Sequence, residues 1–171
     1  MPEFEAFVDE YIDELTALAA ALTGNRQDAH DVVIEALLSA SIRWTQVRQA
    51  RSPLAYVRSM VYSEFIDSRR RSARHTNLLG RLRARREPPG DRTNQVLDRQ
   101  VLLPALQQLS PQQRSAITLR YYLDLAEPEI AEVMGCAAST VRTHLSRGLA
   151  RLREDLPHLN LDKDSDGRIH S

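Results

Sequence analysis

The chain has 171 residues, 42% of them hydrophobic and 27% charged, and its 23 basic and 23 acidic side chains cancel to zero net charge. That length suits one medium domain or two small ones, and the composition is that of an ordinary soluble protein rather than a disordered or membrane-spanning one. The single cysteine, Cys136, excludes an intramolecular disulfide and leads to the expectation of a cytoplasmic protein.

The zero sum hides a pattern. Residues 1–40 hold nine acids against one arginine, a net of −8, and residues 41–92 hold thirteen arginines against four acids, a net of +9. Such asymmetry suggests a nucleic-acid surface beside something else, although solvated helix faces are the plainer reading. The acidic N-terminus lacks the basic start of a secretory leader, and no apolar run is long enough to cross a bilayer.

Phe4, Val8, Ile12, Leu15, Leu18 and Leu22 recur at spacings of three and four, which predicts a helix over residues 3–22 that stops at Gly24. A second helix is expected from Asp28 to Ile42, with Val32, Val33, Ala36, Leu37 and Ala40 inward. Ser52-Pro53 reads as an N-cap followed by proline at the first helical position. The helix it starts should reach about Arg74 and carry Leu54, Val57, Val61 and Phe65. Residues 76–97 contain RLRARR, Pro88-Pro89-Gly90 and a polar stretch. They read as a flexible basic linker, because so long an irregular run is unusual inside one compact domain.

Helical patterning then resumes. Residues 98–108 offer Val101, Leu102, Ala105 and Leu106. Ser110-Pro111-Gln112-Gln113 has the form of a capping box and should start a helix to about Tyr122. Two short helices follow, near residues 127–134 and 139–154. Strand alternation and hairpin turn pairs are missing, so the expected fold class is all-α. The expected organisation is two small helical domains, residues 1–75 and 98–156, joined by the linker 76–97 and followed by a polar tail, 157–171. The tail holds Asp162, Asp164, Asp166 and Gly167, which look like the start of a calcium loop. Such a loop needs a glutamate at its twelfth position, which lies past Ser171, so a solvated acidic tail is the preferred reading and no metal or cofactor is expected.

The most specific local signal is EPEIAEVMGCAASTVRTHLSRGLARLRE, residues 127–154. It has the marks of a helix-turn-helix, whose second helix enters the major groove of DNA. Ala131 is small where the second helix crosses the first, Gly135 suits the turn, and Val141, Leu145 and Leu149 stand four apart for the inner face. Thr140, Arg142, Thr143, Ser146 and Arg147 fall on the outer face, where arginine can pair with guanine. Such a motif alone is shared by many DNA-binding proteins, and Arg142 and Arg147 also fit plain surface charge. A catalytic constellation is not found. The five histidines are scattered, no HExxH, GxSxG, P-loop or GxGxxG occurs, and Cys136 has no evident base beside it. The chain is not expected to be an enzyme.

LRYYLDLAEPEIAEVMGCAASTVRTHLSRGLARLRE resembles the σ4 domain of extracytoplasmic-function (ECF) sigma factors, and LSPQQRSAITLRYY is similar to the helix before it. LTGNRQDAHDVVIEALLSASIRW, residues 22–44, looks like that family's polymerase-binding segment. SPLAYVRSMVYSEFIDSRRR, residues 52–71, looks like the segment that melts and reads the −10 element. The resemblance covers about residues 4–156 and is nearest the actinobacterial sigma-E-like branch. It implies a subunit that binds RNA polymerase core enzyme and promoter DNA, with an anti-sigma factor as a further partner.

By the same resemblance, Asp28, Asp31, Val32 and Glu35 would grip the polymerase core, and Arg58, Tyr62, Asp67, Arg70 and Arg71 would contact the melted −10 strand. Thr140, Arg142, Thr143, Ser146 and Arg147 would read the −35 element. The sequence departs from the family pattern at His30 (usually Glu), Ile34 (usually Gln), Ser63 (often Asn) and Ala126 (commonly Ser or Thr). These departures bear on the detail of each contact. A stand-alone helix-turn-helix regulator is the competing reading, but it leaves the acidic first helices and the −10-like segment unexplained.

Overall fold

A computed structural model of the chain describes residues 2–79 and 96–157. The described residues are helical, without a strand, and the chain divides into two compact units between Gly90 and Asp91.

The first unit holds α1 (Pro2–Thr23), α2 (Arg26–Ile42), α3 (Trp44–Gln49) and α4 (Pro53–Leu79). Its core is built by Leu15, Leu18 and Leu22 of α1, Val33, Ala36 and Ala40 of α2, and Val57, Val61 and Phe65 of α4. Ala36 and Ala40 are fully buried, and their small side chains let α2 lie close between its neighbours. Burying a side chain such as Phe65 contributes about 1.5–3 kcal/mol.

The helix starts follow from local chemistry. Asn25, in extended backbone, accepts the Asp28 N–H at 2.8 Å and so caps α2. Ser52 Oγ accepts the Ala55 N–H at 3.2 Å and opens α4, as its sequence suggests. Two elements differ from expectation. α4 runs past Arg74 to Leu79, because no helix breaker occurs before Gly80. α3 is too short for a periodic signal, and packing makes it: Trp44 and Val47 turn inward, and the Trp44 ring lies 5.3 Å from both Phe4 and Phe7. Of the expected linker, residues 76–79 belong to α4 and 96–97 to α5, and the part between them lies outside the described residues, as does the aspartate-rich tail.

The second unit holds α5 (Val96–Gln108), α6 (Pro111–Ile117), α7 (Glu127–Met134) and α8 (Ala138–Asp155). The capping box at Ser110 is complete: Gln113 N–H donates to Ser110 Oγ at 3.2 Å, and Ser110 N–H donates to Gln113 Oε1 at 3.3 Å. The single helix expected from here to Tyr122 widens instead into a π-helical stretch, Thr118–Tyr122. There Leu123 N–H reaches back to the Thr118 carbonyl, and Asp124 takes a left-handed φ of 53° that turns the chain toward α7.

Arg114 is the unusual core residue. It is 1% exposed, yet it carries a full charge. Its Nε donates to the Leu106 carbonyl at 2.9 Å, and its Nη2 donates to the carbonyls of Gln107 and Leu109 at 3.1 and 3.2 Å. These acceptors lie at and just beyond the end of α5, where helix carbonyls carry partial negative charge, and the Leu106 carbonyl also accepts the Leu109 N–H at 3.2 Å. α8 then packs on α6 through Gly148, where an added Cβ would sit 2.7 Å from Ile117 Cδ1 and 3.4 Å from Gln113 Cβ.

The turn of the helix-turn-helix closes at Gly135, whose φ is 63°. Cys136 N–H donates to the Ala131 carbonyl at 3.1 Å, so the last carbonyls of α7 are satisfied as the chain reverses. An added Cβ at Gly135 meets nothing within 4 Å, so the requirement for glycine is one of backbone conformation alone.

Two stability outcomes follow. Arg114→Ala takes a donor from three carbonyls, of which that of Leu106 keeps the Leu109 N–H, and should cost the second unit about 3 kcal/mol. Amide hydrogen exchange should then show α5 and α6 losing protection while α1, α2 and α4 keep theirs; unchanged protection in α5 would refute the clamp. Gly135→Ala should cost about 1–2 kcal/mol, and Gly135→Asn less, because asparagine tolerates the left-handed region. Thermal unfolding checks this, and equal losses in the two variants would contradict the backbone explanation.

Candidate nucleic-acid interface

α8 presents its surface as a direct result of its packing. Val141, Leu145, Gly148 and Leu152 are buried, while Leu149, expected inward, is half-buried. The opposite face is left to solvent, and Thr140, Arg142, Thr143, Ser146 and Arg147 are all exposed there. All five expected −35 residues therefore share one accessible face of one helix. Thr143 Oγ1 donates to the Ser139 carbonyl at 3.0 Å, which fixes its hydroxyl hydrogen and leaves its oxygen as an acceptor. Arg142 stands near Glu127, Nε to Oε2 3.5 Å. Burial and the neighbouring Arg147 both pull the pKa of His144 below its ordinary value, so this histidine is a poor source of extra positive charge.

The starts of α7 and α8 are uncapped by side chains, with Ala126 and Ala137 at the caps. At Ala126 the loss is partly offset. Glu129 reaches back to accept the Ala126 N–H at 2.7 Å, and Pro128 lies in the first turn, where a missing N–H costs nothing. Cys136 in the turn is half-buried, and burial pushes its thiol pKa up, which disfavours the reactive thiolate.

In the first unit, α2 turns Asp28, Asp31 and Glu35 outward, while Val32 is only 4% exposed and packs inward. His30 is exposed too. Ile34, Leu38 and Ile42 form an exposed apolar row along the same helix, a feature that core-seeking patterns in the sequence do not flag. On α4, Arg69, Arg70, Arg71 and Arg74 are exposed, and Tyr62 and Asp67 are half-buried. Asp67 pairs with Arg70 at 3.5 Å, one helical turn away, rather than with Arg71. Arg58 is set apart from the other expected −10 residues. Its side chain is 14% exposed, and its Nη2 lies 2.7 Å and its Nε 2.8 Å from Glu14 Oε1 on α1. That pair joins α1 to α4 and occupies Nε and Nη2 of the guanidinium. A cleft between α2 and α4 brings Asp28, Asp31 and Glu35 opposite Arg69 and Arg71.

Comparison with known proteins places these surfaces in a family. Residues 7–75 match the sigma-70 region 2 model, and residues 99–152 match the sigma-70 region 4 model. The chain is 34% identical to a Streptomyces coelicolor RNA polymerase sigma-E factor over 94% of its own length and 89% of the relative's. It is also 34% identical to the Mycobacterium tuberculosis ECF sigma factor SigL, over 92% of the chain and 91% of the relative. Its fold is similar to that of the Bartonella quintana sigma factor RpoE, solved in complex with the anti-sigma factor NepR. The TM-score is 0.78 at 24% identity, covering 92% of this chain and 99% of that one. The chain belongs to the extracytoplasmic-function group of the sigma-70 family, and it binds RNA polymerase core enzyme and directs promoter-specific initiation of transcription.

Proposed function

We propose that α2 docks this sigma factor on the polymerase core, that α4 holds the melted −10 strand, and that α8 reads the −35 element. The observation that carries this reading is the distribution of charge over the helices of the first unit. Exposed acids crowd α2 and exposed arginines crowd the far half of α4. Acids steer association with a basic protein surface, and arginines attract phosphates. Asp28, Asp31 and Glu35 make the polymerase contact, with Val32 holding their helix in place from beneath. Tyr62, Asp67, Arg70 and Arg71 face the strand, with the ring of Tyr62 available to stack on an unpaired base. Arg58, gripped by Glu14, acts by fixing α4 against α1. On α8, Thr140, Arg142, Thr143, Ser146 and Arg147 face the groove.

The chain works in the cytoplasm, beside the core enzyme, as a binding subunit with no bond chemistry of its own. An anti-sigma factor is a fitting regulator, since any protein that covers α2 and α4 together blocks polymerase and strand at once. The Bartonella relative solved with such a factor supports this.

The test is co-elution with bacterial core polymerase on size exclusion, followed by run-off transcription. A stoichiometric complex is expected, displaced by excess housekeeping sigma. Asp31→Lys with Glu35→Lys should weaken it at least about tenfold, because like charges then face each other across the interface. Arg70→Glu with Arg71→Glu should still co-elute but lose open-complex formation. Elution alone as a DNA-binding dimer would overturn the reading.

A further inference from the structure

Arg142 is the longest side chain among the five expected −35 residues that sits beside an acid. Glu127 occupies the first position of α7, and its Oε2 lies 3.5 Å from Arg142 Nε. The two side chains are 37% and 64% exposed. The direction of approach decides what the pair does. An arginine offers five N–H donors in a planar fork, and guanine O6 and N7 take two of them. Here the carboxylate stands against Nε, at the back of the fork. The terminal edge, Nη1 and Nη2, is the part left over for a base. A carboxylate seated on the terminal nitrogens would instead compete with DNA for the same donors.

We infer that Glu127 is a positioning residue for −35 recognition: it restrains Arg142 from behind so that the two Nη groups meet a guanine edge-on. The inference rests on the reading of α8 as the −35 helix. An exposed ion pair of this kind adds little to folding stability. Its effect lies in holding a long, flexible side chain before DNA arrives, which reduces the ordering that binding would otherwise require. The same carboxylate carries negative charge toward the phosphates, so it opposes binding to DNA that offers Arg142 no guanine. Discrimination is a difference between affinities, and Glu127 acts on both sides of it.

These two actions have opposite signs, which makes the role separable from a structural one. The experiment uses holoenzyme reconstituted from core polymerase and the full chain, in five forms: unaltered, Glu127→Gln, Glu127→Asp, Arg142→Gln and the double variant of Glu127→Gln with Arg142→Gln. Each is mixed with a pool of duplexes randomised across a promoter-length window, and bound and free fractions are sequenced. A labelled duplex without promoter elements is titrated in parallel. Arg142→Gln should erase a guanine preference at one −35 position. Glu127→Gln should weaken the preference at that same position roughly two- to tenfold, the range that one unrestrained side chain costs at an interface. Binding to the promoterless duplex should stay equal or tighten. In the Arg142→Gln background, Glu127→Gln should leave the base profile unchanged. Glu127→Asp, which keeps the charge on a shorter arm, should retain part of the preference, and thermal unfolding of Glu127→Gln should match the unaltered chain.

The inference is overturned if Glu127→Gln keeps the full guanine preference that Arg142→Gln loses. It is equally overturned if Glu127→Gln tightens binding to every sequence alike, since Glu127 would then be a competitor for Arg142. If Arg142→Gln itself leaves the base profile intact, the assignment of Arg142 to base reading fails, and the positioning role falls with it.

Discussion

Arg114 puts a full positive charge where almost no water reaches, and directs it at three backbone carbonyls ending α5. A buried charge is costly unless it is hydrogen-bonded, and so is a buried carbonyl without a donor. Each of these costs offsets the other, because the planar fork of arginine spans several acceptors at once in a way a lysine ammonium does not. Since α6 carries the guanidinium and α5 supplies the carbonyls, the junction between them is fixed in angle as well as in distance. α8 in turn meets α6 at Gly148, where an added Cβ would have to displace the Ile117 Cδ1 methyl, 2.7 Å away. The face that α8 offers to DNA is thus set by a chain of contacts running back to one buried cation, although none of those contacts touches DNA.

The first unit is held differently. Its core is apolar but for Thr23, whose hydroxyl donates to the Ala19 carbonyl, and the ion pair of Arg58 with Glu14 ties α1 to α4 near the surface. What distinguishes this unit is the meeting of its two charge populations along the cleft between α2 and α4. Charges that line one cleft lie in each other's field, which ordinary salt screens over about 8–10 Å. The acids of α2 partly compensate the arginines of α4. On the proposed reading, polymerase docking and strand binding are therefore not electrically independent events on this unit.

Much of this was legible in the sequence, and the gaps have physical causes. The helices with long apolar stripes, α1, α2 and α8, follow their periodicity closely, and α6 and α7 start at the polar residues and prolines that suit a first turn. The shared exposed face of Thr140, Arg142, Thr143, Ser146 and Arg147 was legible because burying Val141 and Leu145 forces them outward. α3 was not, since six residues hold too little periodicity and its cause is the aromatic contact of Trp44 with Phe4 and Phe7. The π-helical stretch was hidden because LRYY carries no residue that forbids an ordinary helix, and only the turn at Asp124 imposes it. Arg58 looked like its exposed neighbours on α4, because a sequence does not display the Glu14 that lies 44 positions earlier. Ala126 looked like a lost cap, and Glu129 offsets part of that loss by reaching back to its N–H.

The zero net charge takes on meaning in this light. A sigma factor that bound DNA avidly on its own would be held on the many sites that lack a promoter, because phosphate attraction is indifferent to sequence. In this chain the residues 41–92 carry +9 and the residues 1–40 carry −8, so the bulk attraction nearly cancels while the local charges persist. On the proposed reading, a basic polymerase surface covers the acids of α2 and thereby removes the compensation felt by Arg69 and Arg71 across the cleft. The arginines of α4 then face the melted strand with more of their charge unopposed. Glu127 beside Arg142 works in the same sense within the second unit, where an acid next to a base-reading arginine disfavours contacts that phosphate alone could make. On these two proposals, acids placed beside arginines make this chain depend on its polymerase for position and on the base sequence for affinity.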